Sequence, residues 1–183
     1  MIYYSIPYSV EKNLGKAYND FMEILPNEND YACFVDSDTI FTTPNYGHII
    51  DKVINENLEI GCFIAKTNRI NCSFQLFNGV DVDTNDISYH REFGKNVQSI
   101  YGTYCVDVTH ISKHELMSGF LMVVKKELWN RIGRFDETMG MLGIDNDFHK
   151  KIKNNNEKVY QMKGIYLYHW YRWPDPTNKE HLL

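Results

Sequence analysis

Tyr31-Ala32-Cys33-Phe34-Val35-Asp36-Ser37-Asp38 is the stretch on which the reading of the fold turns. Five apolar residues end abruptly in two carboxylates spaced i, i+2. The run has the length and bounds of a strand buried on both faces. At its carboxyl end, two acidic side chains can reach one divalent cation, because hard cations take oxygen ligands and bridge carboxylates to phosphates. Asp-Ser-Asp is also ordinary turn chemistry, so the pair by itself leaves both readings open.

Outward from this point, strand and helix signals alternate. Ile2–Ile6 reads as a first strand stopped by Pro7. Ser9 is placed to cap a helix from about Val10 to Leu25, in which Leu14, Ala17, Tyr18, Phe21 and Leu25 recur at helical spacing. Thr43-Pro44 is expected to open a second helix with proline at its first position, ending near Asn57. Strands are expected at Leu58–Ala65, Gly119–Val124, Val159–Met162 and Ile165–His169, and helices at Lys125–Ile132 and Asp145–Asn154. Residues 66–117 are polar and weakly periodic and read as a loop-rich insertion; residues from Pro174 onward read as an irregular tail. The pattern predicts one α/β domain over 1–183 with helices on both faces of a sheet, and such sheets bind ligands at the carboxyl ends of their strands.

Composition narrows the function. A chain of 183 residues can bury a real core. Its net charge of −5 argues against a general nucleic-acid binder, which needs a basic face. No signal-peptide pattern and no apolar run of membrane-spanning length is visible, and the four cysteines are scattered, so a soluble, reducing, cytoplasmic setting is expected.

Three further features follow the acidic pair in order: Ser118-Gly119-Phe120; Gly133-Arg134-Phe135-Asp136-Glu137 with Gly143-Ile144-Asp145-Asn146-Asp147-Phe148; and Tyr168-His169-Trp170. Upstream stands Asn13-Leu14-Gly15-Lys16-Ala17-Tyr18-Asn19. Over about residues 2–65 and 117–173, this ordered set resembles the GT-A glycosyltransferases, particularly the family 2-like inverting enzymes. The resemblance implies a Rossmann-like nucleotide-diphospho-sugar transferase fold with a mixed central sheet. It implies an Asp-x-Asp motif in which Asp38 ligates Mn²⁺ or Mg²⁺ directly and Asp36 reaches the metal or the ribose, with His169 completing the metal site. It makes Asp145 the general base. It places Ile6, Pro7, Tyr8, Lys16, Asn19 and Ser37 on the nucleotide, a UDP-sugar being the commonest donor, and Gly119 beside the sugar. Arg172 is placed to clamp the diphosphate, and a glycan, protein or lipid-linked acceptor is expected against residues 66–117 and the tail. Two departures stand out: only about 30 residues precede the acidic pair, and Ile144 stands where the family usually has an acidic residue before the base, which leaves Asp147 as an alternative.

Other functions share parts of this pattern. A haloacid-dehalogenase-like phosphatase also carries two aspartates at i, i+2, but wants threonine two residues after the second, where this chain has Ile40. A transferase fold that binds sugar or nucleotide without turnover, and a nucleotidyltransferase, are the remaining alternatives.

Overall fold

The computed structural model describes residues 1–171. Its centre is one mixed, open, seven-stranded α/β sheet. The strands are β1 (Ile2–Ser5), β2 (Tyr31–Val35), β3 (Thr39–Phe41), β4 (Cys62–Thr67), β5 (Cys105–Asp107), β6 (Leu121–Lys125) and β7 (Val159–His169). They lie in the order β1-β2-β6-β4-β7-β3, with β5 also paired to β7. β1 is parallel to β2 and β4 to β7, while β6 runs antiparallel between β2 and β4. The carboxyl ends of β1, β2, β4 and β7 and the amino end of β6 therefore share one edge.

Side chains alternate across the sheet as the pleat requires. From β2, Ala32 and Phe34 enter a core with Tyr18, Met22, Trp129 and Phe148. Tyr31, Cys33 and Val35 enter the opposite core with Ile50, Val53 and Phe63. Every residue of β2 is buried, which is why it reads as an unbroken apolar run rather than an alternating one. The helices are α1 (Leu14–Ile24), α2 (Tyr46–Glu56), α3 (Ile87–Tyr101), α4 (Lys126–Ile132) and α5 (Ile144–Asn154).

Several boundaries differ from the sequence expectation for local reasons. Asn13, not Ser9, caps α1: its Oδ1 accepts from Lys16 N at 2.9 Å, after Lys12 takes a positive φ of 52°. Ser9 Oγ instead accepts from Asn13 N. α2 starts at Tyr46, beyond Pro44, because Thr42 and Thr43 are tied to β7 through the Tyr166 carbonyl and Asn45 is left-handed. The two closing strands expected near the end are one strand, β7. Its pairing with β4 shifts register between Ile64 and Lys66, while β5 and β3 pair with β7 across Tyr160–Met162 and Leu167–His169.

The largest correction concerns residues 66–117. They contain α3, at 15 residues the longest helix described, as well as β5 and a 3₁₀ turn at Ser73–Gln75. The inward face of α3 carries His90, Gly94 and Val97 in place of the usual aliphatic stripe. His90 Nδ1 lies 2.7 Å from the Tyr166 hydroxyl, and Phe93 packs edge-on against the Tyr166 ring. A Cβ at Gly94 would lie 2.6 Å from the Thr42 carbonyl oxygen, so the helix meets the sheet here backbone to backbone.

Candidate metal centre and cleft

β2 ends at Val35, and the Asp36 N–H donates to the Phe120 carbonyl at 3.0 Å, which fixes the first aspartate at the sheet edge. The chain turns through Ser37 and returns as β3 against the end of β7, with Thr39 opposite His169. This pairing carries Asp38 to the last strand. His169 Nε2 lies 3.1 Å from Asp38 Oδ1, the Trp170 N–H donates to the Asp38 carbonyl at 2.9 Å, and the Tyr171 N–H donates to Asp38 Oδ2 at 3.2 Å. The His169 backbone N–H is taken up by Asn68 Oδ1 at 2.7 Å. Asp36, Asp38 and His169 thereby present ligand atoms all within 4.8 Å of one another.

The electrostatics of the cluster fit a cation. Burial pushes the Asp36 carboxyl up to about 6; His169 opposes that rise, and Asp38 and Asp145 add to it. Burial also acts upward on Asp38, but the hydrogen bond and charge of His169, helped by the Tyr171 N–H, outweigh it and hold this carboxyl below its ordinary value. His169 Nδ1 is buried and has no hydrogen-bond partner among the described residues; the ring is held by Asp38 and by packing against Phe120 and Tyr171. Two carboxylates and one imidazole are a donor set for Mn²⁺ or Mg²⁺, with imidazole also admitting softer metals.

The cluster opens into a cleft of about 800 Å³, large enough for a small-molecule ligand. Asp145, in the first turn of α5, lines the same cleft. Its Oδ2 accepts from Gly119 N at 2.7 Å and its Oδ1 from Asn146 N at 2.8 Å. Burial raises its carboxyl above the ordinary value, against the pull of those N–H groups. Two more α5 residues grip the same segment: Asn146 Nδ2 donates to the Met117 carbonyl, and His149 Nδ1 accepts from Met117 N at 2.9 Å. The carboxylates of Asp36, Asp38, Glu115 and Asp145 line the cleft with the imidazoles of His114 and His169; among the described lining residues there is no lysine or arginine.

The structure brings together Asp36, Ser37, Asp38, Gly119, Asp145 and His169, and Pro7 joins them in the cleft lining. It does not bring in the others. Ile6 is largely exposed, and Tyr8 and Lys16 line a separate shallow groove of about 230 Å³. Lys16 is paired there with Asp20 at 2.7 Å. Asn19 is buried and fully used in packing: it donates to the Phe135 carbonyl and Glu137 Oε1 and accepts from Trp129 Nε1 and Phe135 N. Asp147 is ion-paired with Lys151 at 2.9 Å. Arg172 lies outside the described residues.

Sequence reasoning missed Tyr18. Its spacing marks a helical core position, and its ring does pack on Phe34 and Phe135, yet it also lines the cleft. Burial, with Asp36 and Asp145 nearby, keeps its phenol neutral. Nothing in its periodicity distinguishes it from a plain core tyrosine. Asn71, His114 and Glu115 also line the cleft, from the segment read as an insertion.

Among the described residues no helix is long and apolar enough to cross a membrane. No protein-family model matches the chain, and no curated protein aligns with it significantly.

Proposed function

We propose that this chain is a metal-dependent glycosyltransferase of the GT-A kind, moving a sugar from a nucleotide diphosphate sugar to an acceptor hydroxyl with inversion. The observation that carries the proposal is the meeting of Asp36, Asp38 and His169, from two distant parts of the chain, in one cleft with Asp145. The mixed sheet, with β6 antiparallel between β2 and β4, is compatible with it.

Asp36, Asp38 and His169 would hold the cation. A divalent ion there supplies positive charge to a departing diphosphate. Among the described lining residues no lysine or arginine faces that diphosphate, so of the described groups it is this site that would bring positive charge to it. Asp145 accepts the proton of the attacking hydroxyl; its raised carboxyl makes it a stronger base than an exposed aspartate. The N–H groups of Gly119 and Asn146 fix the carboxylate's orientation while each oxygen keeps a lone pair free. Attack from the side opposite the leaving group inverts the anomeric carbon.

The test is nucleotide release from a panel of nucleotide sugars with Mn²⁺, with Mg²⁺ and with chelator, for the wild type and Asp38→Asn. Metal-dependent release that Asp38→Asn abolishes supports the reading. If no donor is turned over under any metal condition, the chain is not a transferase; metal-dependent binding without release would make it a binding module.

A further inference from the structure

We propose that Lys66 and Lys163 form a second ligand site that takes the dianion of a phosphate group. Neither residue lines the cleft, and the site does not depend on the transferase reading.

The pairing of β4 with β7 brings the two lysines together. Ile64 stands opposite Gln161 and Lys66 opposite Tyr166, so Ala65 alone faces residues 162–165 of β7. Excess residues on one strand bend it and re-aim its side chains. The bend is fixed by its neighbours. The Lys163 N–H donates to the Tyr104 carbonyl at 2.9 Å, and a Cβ on Gly164 would collide with the Gly102 carbonyl at the end of α3. The Lys163 ammonium thereby comes within hydrogen-bond reach of the Lys66 amine, although the two residues are not partners in the ladder.

The surroundings hold both side chains in place. Lys66 Nζ lies 5.0 Å from the centre of the Phe77 ring, and Phe77 is wedged against Phe93 and Tyr101 of α3 and Tyr166 of β7. Lys163 Nζ donates to Gln161 Oε1 at 3.2 Å. Gln161 is only 1% exposed and its amide donates to the Phe74 carbonyl at 2.9 Å, so the acceptor that steers Lys163 is itself fixed.

Two ammonium groups side by side call for a counter-charge. The chain is acidic overall, at −5, and Lys16, Lys52, Lys95, Lys125, Lys151 and Lys158 each pair with a carboxylate. Among the described residues no carboxylate pairs with Lys66 or Lys163. Burial, and then the charge of Lys163, push the Lys66 amine down to about 8, and burial lowers Lys163 as well. Left alone, the pair sheds a proton. A dianion seated against both amines favours their charged forms and accepts hydrogen bonds from each. A phosphate group matches the two charges, whereas a carboxylate brings one.

The experiment uses the full chain with ¹³C-labelled lysine, free of metal so that a cation at the aspartate cluster cannot recruit the anion. The Cε signals of Lys66 and Lys163, assigned with Lys66→Met and Lys163→Met, are followed at pH 8 as inorganic phosphate or glycerol phosphate is added, with acetate as the singly charged comparator. At this pH a phosphate monoester carries nearly two charges. The expected result is a saturable shift of both signals toward the protonated position, with a millimolar Kd for phosphate and weaker binding of acetate. Equal binding of the two phosphates marks a site for the free ion, and tighter glycerol phosphate marks one for a phosphate carried on a larger molecule; both support the site. Lys66→Met and Lys163→Met, each read on the remaining lysine, weaken binding by about tenfold, while Lys66→Arg keeps the charge and most of the affinity. Where a Met variant melts, the corresponding Gln variant carries the same comparison. No saturable shift of either signal overturns the proposal, as does acetate binding as tight as phosphate, or unchanged phosphate affinity when either ammonium is removed.

Discussion

Gly119 and Asp145 are fitted to each other: the glycine N–H binds the carboxylate at 2.7 Å, and a Cβ on the glycine would stand 3.1 Å from the Cβ of the aspartate. The sequence suggested that this glycine leaves room for a ligand. Its nearer duty is to leave room for the Asp145 side chain. Gly119→Ala must shift Asp145 by a few tenths of an ångström, short of the roughly 1 Å misplacement that can cost on the order of 10²-fold in rate. Donor turnover is expected to fall, by less than that factor, while Mn²⁺ affinity, measured by calorimetry, stays near the wild-type value.

Asp145→Asn keeps the size of the side chain and removes its basicity. Turnover is expected to fall by about 10²–10⁴-fold. Nucleotide binding in Mn²⁺, read by calorimetry, persists, since Asp145 is not among the clustered metal-site residues.

The crowded acidic cluster predicts thermal stabilisation by metal. At a free Mn²⁺ concentration of 100 times Kd, stability is expected to rise by about 2.7 kcal/mol and to fall back on chelation. Asp38→Asn and His169→Ala remove donors outright, so each should weaken Mn²⁺ by more than the roughly 10–100-fold that loss of a supporting contact costs a metal site. Thermal melts with and without metal check both statements.

His149 predicts a pH dependence of folding. Its Nδ1 accepts from Met117 N and its Nε2–H donates to the Thr109 carbonyl at 3.2 Å, so the buried ring must be neutral. Burial pushes its pKa down to about 4, opposed by the Thr109 carbonyl, while Lys153 and His110 push the same way as burial. The unfolded chain takes up this proton near pH 6.5 and the native protein only near 4, so stability present above 6.5 is lost as pH falls through that window. Urea unfolding at pH 7 and pH 5 should show a loss that is smaller in His149→Gln.

Gly94→Ala tests the contact of α3 with the sheet. The added methyl meets the Thr42 carbonyl at 2.6 Å, and overpacking of this kind costs about 1–3 kcal/mol. Equilibrium unfolding in urea measures it. An unchanged midpoint would mean that the helix does not rest on this backbone contact.

The centre of the sheet was legible because burial on both faces turns β2, β4 and β6 into plain apolar runs. α3 was not, because its inward face uses an imidazole hydrogen-bonded to a tyrosine and a glycine chosen for contact distance, neither of which registers as hydrophobic periodicity. The break expected at Lys163-Gly164 corresponds to a real register shift against β4, but the pairings of β5 and β3 on the other edge of β7 carry the strand through it. In the site, Asp36, Asp38 and His169 could be grouped from their order along the chain. Asn19 could not be set apart from them, since a buried amide satisfying four partners and one facing a ligand look alike in sequence.

The β3–β7 pairing has a temporal consequence. Asp38 emerges early from the ribosome, but the strand that brings it an imidazole is made near the end of the described chain. A nascent or truncated polypeptide lacking β7 cannot assemble the three-residue site, so any chemistry there is withheld until the last strand has docked.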